Sequence, residues 1–431
     1  MNSDQHKFLT VGFFLAMISV AGAYDSLDPN GNIEVKWDVM SWTADGYVAT
    51  VTITNFQMYR HIRSPGWSLG WVWAKREVIW SMQGAEAADQ GDCSTFTETM
   101  PHSCKRDPLV VDLLPDAPYN QQVARCCKGG VLTSWGQDPS SAVSAFQLTV
   151  GHSGNSNKTV RLPKNFTFYG PGRGYTCSHP KIAPNSAFYS SDGRRKTYAS
   201  MTWNVTCTYT QFLASETPTC CLSMSSFYNS KITPCQACAC GCQDRTACIL
   251  KESDLDESVT GLNALLLQFT AHNCPIQVHW HVKENYKGYW RLKITITNLN
   301  YRLNYSQWTL VVEHPNFSNI MEVYSFVYRP IAPFISNNGT ALFYGLKSVN
   351  DVLLEAGPNG NVQSEMILQK DSAFTLEQGW AFPRKVYFDG DECVMPLPES
   401  FPFLPNLANA NPVPLSALAC ILVAIFVALL S

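Results

Sequence analysis

Ile33-Glu34-Val35-Lys36-Trp37-Asp38-Val39 and, 243 residues later, Ile276-Gln277-Val278-His279-Trp280-His281-Val282 are two versions of one phrase. Apolar residues fall on every second position, the period of a strand with one buried face. The echo continues outward. Gly46-Tyr47 returns as Gly288-Tyr289, and Val51-Thr52-Ile53-Thr54-Asn55 as Ile294-Thr295-Ile296-Thr297-Asn298. Trp67-Ser68-Leu69 returns as Trp308-Thr309-Leu310, with the offset held between 241 and 243. Leu162-Pro163-Lys164 has a looser echo in Phe382-Pro383-Arg384. Each copy favours β-branched residues and breaks at Gly, Pro and Asn, with no sustained helical stretch. The sequence therefore predicts an all-β chain of two tandem antiparallel β-sandwich modules joined by a disulfide-rich segment. The expected limits are 24–180 for the first module, 181–260 for the cysteine-rich region and 261–396 for the second module.

Beyond the modules, residues 1–23 have an apolar stretch ending in Ala21-Gly22-Ala23, the build of a secretory signal peptide. After Glu399, the last charged residue, small and amide residues lead into an apolar run at 415–430. That run is short for a spanning helix, which needs about 20 residues, and fits a glycosylphosphatidylinositol (GPI) attachment signal. Residues 397–431 are thus expected to be an anchor spacer and a removed signal. Asn406 is the expected attachment site, with Ala408 and Asn409 as alternatives. The expected location is the extracellular face of the plasma membrane.

Net charge is −3 and only 15% of residues are charged, which does not suit a nucleic-acid partner. Six sequons, at Asn157, Asn165, Asn204, Asn304, Asn316 and Asn338, predict exposed N-glycosylation sites. In that compartment the 16 cysteines read as a disulfide framework, with Cys420 in the discarded tail. The run Cys235, Cys238, Cys240, Cys242, Cys248 is read as disulfides rather than zinc ligands. The adjacent pairs Cys126-Cys127 and Cys220-Cys221 are expected to bond outward to separate partners.

Trp67, Leu69, Trp71 and Trp73 share one strand face, read as core rather than as a sugar platform. Trp37 and Trp280 point inward by the same alternation. Trp42 sits in the polar loop Ser41-Trp42-Thr43-Ala44-Asp45-Gly46, and Trp80 ends a strand near Gly84. Each is either a surface ring for a sugar or a lid folded over a strand end. His279 and His281 share a face but lack a third metal ligand nearby, so exposed strand histidines are expected and no metal or cofactor. Asp389 and Asp391, flanking Gly390, are read as turn formers rather than a glycosidase pair. No G-x-S-x-G, H-E-x-x-H or phosphate loop is present, so no enzyme activity is expected.

The strings Lys36-Trp37-Asp38-Val39-Met40-Ser41-Trp42-Thr43-Ala44-Asp45-Gly46-Tyr47, Gln57-Met58-Tyr59-Arg60-His61-Ile62 and Cys126-Cys127-Lys128-Gly129-Gly130 resemble the plant COBRA-like family. So do Cys220-Cys221-Leu222-Ser223-Met224-Ser225-Ser226-Phe227-Tyr228-Asn229 and Gly379-Trp380-Ala381-Phe382-Pro383-Arg384-Lys385. The resemblance implies a GPI-anchored surface protein bearing on cellulose deposition and wall strength. The tail around Leu404-Pro405-Asn406 looks most like the secondary-wall, brittle-stem branch. Where that family carries cysteines, this chain has Ser103 and Phe269. The first module also resembles bacterial family 2 cellulose-binding modules, through the stretches 46–55 and 66–69. That resemblance implies cellulose or nascent glucan chains as partner, with Trp42 and Trp80 as carbohydrate-binding rings and Trp135 as the candidate third. The rival expectations are a surface adhesion or scaffold protein without glucan affinity and a wall-remodelling glycosidase.

Overall fold

The computed structural model describes residues 25–402, except 26, 171–172, 190–192, 215–217, 228, 234–273, 301–302, 332–338 and 371–380. The expected signal peptide and GPI signal, Asn338, Asn406, Ala408, Asn409, Phe269 and the cysteines from Cys235 to Cys248 lie outside the described residues.

The predicted all-β class holds. In Tyr47–Asn55 every odd position is buried and every even one is half-buried, as alternation requires. The first large sheet runs Lys181–Ala183, Met201–Tyr209, Ile33–Trp42, Tyr47–Asn55, Val143–Gly151, Val78–Gln83, with Tyr175–Cys177 also paired to Met201–Tyr209. Facing it are Ala85–Ala87, Leu109–Asp112, Ser68–Val72 and Lys164–Tyr169. Between the two sheets lie Trp67, Leu69, Trp71 and Trp73, none more than 2% exposed, so the core reading of that stripe is correct. Trp37 stacks on Trp203 with ring centroids 5.4 Å apart and meets Trp71 edge-on at 5.2 Å.

The second body repeats the plan. Asn229–Thr233, Cys220–Ser226, Ile276–Asn285, Tyr289–Asn298, Asn361–Gln369 and Ile320–Val323 form one sheet. Phe326–Pro330, Thr340–Gly345, Leu310–Glu313, Lys385–Phe388 and Asp391–Glu392 form the other. The correspondence reaches irregular features. A bulge between Val39 and Ser41 recurs between Val282 and Glu284. Asn55, fully buried, donates to Arg60 O and Thr133 O at 2.9 Å. Asn298, also fully buried, donates to Leu303 O, Leu353 O and Glu355 O. The pairing Leu69 with Phe168 recurs as Leu310 with Phe388, in the same register as the loose Leu-Pro-Lys echo, which makes that echo a structural equivalence.

The copies differ beside their leading strands. Met201–Tyr209 lies antiparallel to Ile33–Trp42, whereas Cys220–Ser226 lies parallel to Ile276–Asn285. The expected limits 24–180, 181–260 and 261–396 therefore need correction. Residues 175–209 complete the first sheet and 220–233 open the second, because each leading strand needs a hydrogen-bonding neighbour on its other side.

Cys93–Cys104, Cys177–Cys207 and Cys220–Cys393 are bridged. Cys221 and Cys274 are also disulfide-bonded and share one buried cluster. The outward reading holds for Cys220 and fails for Cys126-Cys127, which bond to each other. The local backbone explains this. Asp112 accepts hydrogen bonds from Cys127 N, Lys128 N and Gly130 N, coiling the loop, and Arg125, Cys127, Gly129 and Gly130 all take positive φ. Gly130 is required there, since a Cβ would lie 2.5 Å from Trp67 N. Ser103 is buried, its Oγ donating to Asp89 O at 3.1 Å.

The two bodies are locked by the loop that follows Tyr47–Asn55. Tyr59 packs with Val311, Leu342 and Tyr387 of the second body. Beside it, Arg60 Nη1 reaches Asp391 Oδ1 at 2.8 Å, and the Arg60 guanidinium lies 3.6 Å over the Tyr209 ring. Tyr209 Oη and Thr219 Oγ1 donate to the same carboxylate. Asp389 and Gly390 both have positive φ and join Lys385–Phe388 to Asp391–Glu392, so the acidic pair does form a hairpin turn. It also has a second task, because Asp389 faces Arg63 at 3.8 Å and His61 at 3.7 Å. Burial pushes Asp389 up and His61 down.

Candidate functional site: the far end of the first sandwich

Two bulges bring Trp42 and Trp80 to one end of the first sheet. Along Ile33–Val39 the odd positions face the core, and the bulge at Val39/Ser41 shifts the parity so that Ser41 is exposed and Trp42 packs against the core edge. Trp42 stays half-buried, edge-on to Tyr47 at 6.3 Å. Trp80 is the extra residue of the bulge between Ile79 and Ser81. Its half-buried ring lies on Gly151, where any Cβ would be 2.0 Å from the indole Nε1. Trp42 pairs with Tyr47, Tyr47 with Val150 and Val150 with Ile79, so the two tryptophans end one row across four strands. Three strand spacings make that row about 14 Å wide.

Residues that sequence reasoning missed complete this end. The loop closed by Cys93–Cys104 presents Phe96 edge-on to Trp80 at 5.4 Å, and exposed His152 lies 5.6 Å from Phe96. Asp45 Oδ2 accepts from His152 N, and Asn155 Nδ2 donates to Ala44 O. Only the cysteines bracketing Phe96 hint at it in the sequence. The result is half-open aromatic rings beside hydrogen-bonding groups, an arrangement that can stack on an apolar ring face and bind hydroxyls at its edge.

Trp135 does not join them. It packs on Phe56 at 4.8 Å, and the Trp135 backbone N–H donates to Gln57 O, beyond the opposite end of Tyr47–Asn55. At about 3.4 Å per residue it stands roughly 30 Å from Trp42. Its neighbour Gly136 accepts from Arg329 of the second body, so this ring belongs to the junction.

The sequons divide. Asn157, Asn165 and Asn304 are exposed, and Asn204 is half-buried with Nδ2 donating to Glu34 Oε2 at 3.3 Å. Asn316 is fully buried, its Oδ1 accepting from Trp290 Nε1 at 2.9 Å. A glycan at Asn316 does not fit this fold, contrary to the expectation that every sequon is exposed.

His279 and His281 do share a strand face, but they are partly buried rather than exposed. Ser223 Oγ lies 2.7 Å from His279 Nδ1, and Ser225 Oγ bridges His279 Nε2 at 2.8 Å and His281 Nδ1 at 2.7 Å. With both rings neutral, Ser225 can donate to one nitrogen and accept from the other. Among the described residues no group of three His, Cys, Asp or Glu is placed to hold a metal. Burial, then His281 and Lys293, push His279 down to about 4. The unfolded chain takes up this proton near 6.5 and the folded one does not, so stability falls as pH drops from 6.5 toward 4, by up to about 3 kcal/mol. Asp28, pushed up to about 6 mainly by burial, acts oppositely, favouring the folded state as pH falls from 6 toward 3.8. Denaturant unfolding at pH 7 and pH 5 should show His279→Gln less sensitive to acid than wild type, and Asp28→Asn more sensitive. Identical slopes would mean that His279 is solvated in solution.

The COBRA N-terminal domain model matches residues 47–210, and the COBRA family C-terminal domain model matches 219–270 and 262–402. The gap between the two models falls where the structure passes from the first body to the second. The chain is 61% identical over 406 residues to COBRA-like protein 4 of Arabidopsis thaliana, covering 93% of this chain and 94% of that one. It is 61% identical over 396 residues to Protein COBRA of the same plant, covering 89% and 87%. It is 59% identical over 415 residues to COBRA-like protein 6 of Oryza sativa subsp. japonica, covering 91% and 92%. With both family models and these relatives spanning the double sandwich, the chain belongs to the COBRA family.

Proposed function

We propose that this is a non-enzymatic extracellular glycoprotein, held by a GPI lipid at the outer face of the plasma membrane, that binds cellulose or nascent glucan chains. Holding chains as they emerge would promote their ordered packing in the plant cell wall, the secondary wall in particular. The observation that supports this reading is the convergence of Trp42 and Trp80 on one end of one sheet, flanked by Phe96 and hydrogen-bonding groups. The same reading assigns no acid–base pair, since Asp389 and Asp391 are buried against Arg60, Arg63 and Thr309.

Stacking contacts contribute about 1 kcal/mol each, or about five-fold in affinity, and gain from number and from confinement at a surface. The test is sedimentation of the full secreted chain, made in a eukaryotic host, with crystalline cellulose. Trp42→Ala and Trp80→Ala are each expected to weaken binding about five-fold, and Trp135→Ala to leave it unchanged. Wild-type affinity in both of the first two variants would sink the assignment. A folded wild type with no affinity would favour the scaffold reading, and release of soluble sugar would favour a glycosidase.

A further inference from the structure

The ring of Phe96 stands at 82° to that of Trp80, with centroids 5.4 Å apart. His152 stands at 85° to the same indole, 6.3 Å away, and is tilted only 34° from Phe96 at 5.6 Å. Phe96 and His152 therefore run side by side, and both are upright on the indole. The indole rests on the Gly151 backbone. Phe96 comes from a loop whose neighbouring residues Ser94, Thr95 and Thr97 are exposed, so the upright rings lie on the solvent side. Trp80 is a floor, and Phe96 with His152 is a wall.

Both parts of the wall are held in place. The Cys93–Cys104 bridge closes the Phe96 loop. Ile79 and Ser103 exchange backbone hydrogen bonds at 2.9 and 3.1 Å, and His102 N donates to Trp80 O, so the loop is fastened to the strand that carries the floor. His152 has a φ of 57°, in the left-handed region that glycine enters most readily. Asp45 keeps it there, its Oδ2 accepting from His152 N and its carbonyl from Ser153 N, both at 3.2 Å. A ring retained where glycine is the unstrained choice points to a use for that ring.

Resting on the glucan reading of this end, we infer that Phe96 and His152 set its specificity, so that the site takes an individual glucan chain in preference to a flat crystal face. A crystal face offers many coplanar sugar rings and needs coplanar receiving rings with nothing raised above them. Here the wall halts such a face before it settles on Trp80. A separate chain meets no such obstacle. It can stack one pyranose face on Trp80, set its edge against the wall, and hydrogen-bond through its hydroxyls with exposed Asp45 and Asn155. The row of about 14 Å toward Trp42 gives the chain room to continue.

The test compares binding of the full secreted chain to acid-swollen cellulose, whose chains are separated, and to crystalline cellulose. Affinity electrophoresis through hydroxyethylcellulose adds a soluble chain. The wild type is expected to hold swollen cellulose about five-fold more tightly per accessible area, and to be retarded by the soluble polymer. Phe96→Ala should weaken both of these about five-fold and leave crystalline binding unchanged or stronger, while Phe96→Tyr keeps the wild-type pattern. His152→Gly relieves the backbone, so it should not lower the melting temperature, and it should shift the preference in the same direction as Phe96→Ala. Equal loss on both forms of cellulose in Phe96→Ala would overturn the inference, because the ring would then only support Trp80. Wild-type preference retained in both Phe96→Ala and His152→Gly would also overturn it. A wild type that favours crystalline cellulose overturns this inference and leaves the glucan reading in place, whereas one that binds no form overturns both.

Discussion

Asp391→Ala is expected to destabilise the protein by about 3–5 kcal/mol, the cost of leaving a buried charge without its partner. Asp391 is 8% exposed and holds three groups, Arg60 at 2.8 Å, Thr219 Oγ1 at 2.8 Å and Tyr209 Oη at 3.2 Å. Burial works against the Arg60 charge, yet Asp391 and the surrounding tyrosines hold its pKa above the ordinary value, so the guanidinium keeps its proton and cannot escape by neutralising. Urea unfolding should show a lower midpoint for the single variant and partial recovery in Arg60→Met/Asp391→Ala, where both charges are gone. A loss under about 1 kcal/mol would mean that water reaches Arg60 in solution and that the junction is open.

Trp203→Ala is the second large effect, also about 3–5 kcal/mol from lost burial and an unfilled cavity. Trp203 is fully buried, stacked on Trp37 and edge-on to Tyr47 at 6.3 Å. Trp203→Phe keeps most of the volume and should cost less than half as much. Equal cost for both substitutions would show that the neighbours demand an indole rather than filled space. The residue lies outside the 24–180 range expected from the sequence, so a fragment ending at 180 would leave the Trp37 face uncovered and should not be used as a folded module.

How much could be read in advance follows from what is local. Alternation at Ile33–Val39 and Ile276–Val282, and the bulky stripe from Trp67 to Trp73, are properties of neighbouring residues, and each reading matched the fold. The repeat offset extended that to the pairing of corresponding strands. What stayed hidden was set by distant partners. Ile33 pairs with Cys207, and no feature near either residue announces it. Bulges aim Trp42 and Trp80, and a bulge is one residue of slippage against a strand far along the chain. Trp135 enters only through the resemblance to cellulose-binding modules, and its surroundings come from Phe56 and the second body. Gln57-Met58-Tyr59-Arg60-His61-Ile62 was legible as a motif and illegible as a clamp, because its partners Asp389 and Asp391 lie more than 300 residues on. The Cys126-Cys127 bridge depended on backbone turns that Asp112 imposes from outside the motif.

The junction has a mechanical corollary. Strand Tyr47–Asn55 starts beside Trp42 and ends just before Arg60, so it is a strut between the aromatic end and the clamp on the second body. Tandem domains on a slack tether sample many orientations, and a captured ligand sets their angle. Here the angle is built in. A load applied at the aromatic end would pass along that strut as torque into the second body, and the pair Arg60–Asp391 would carry it.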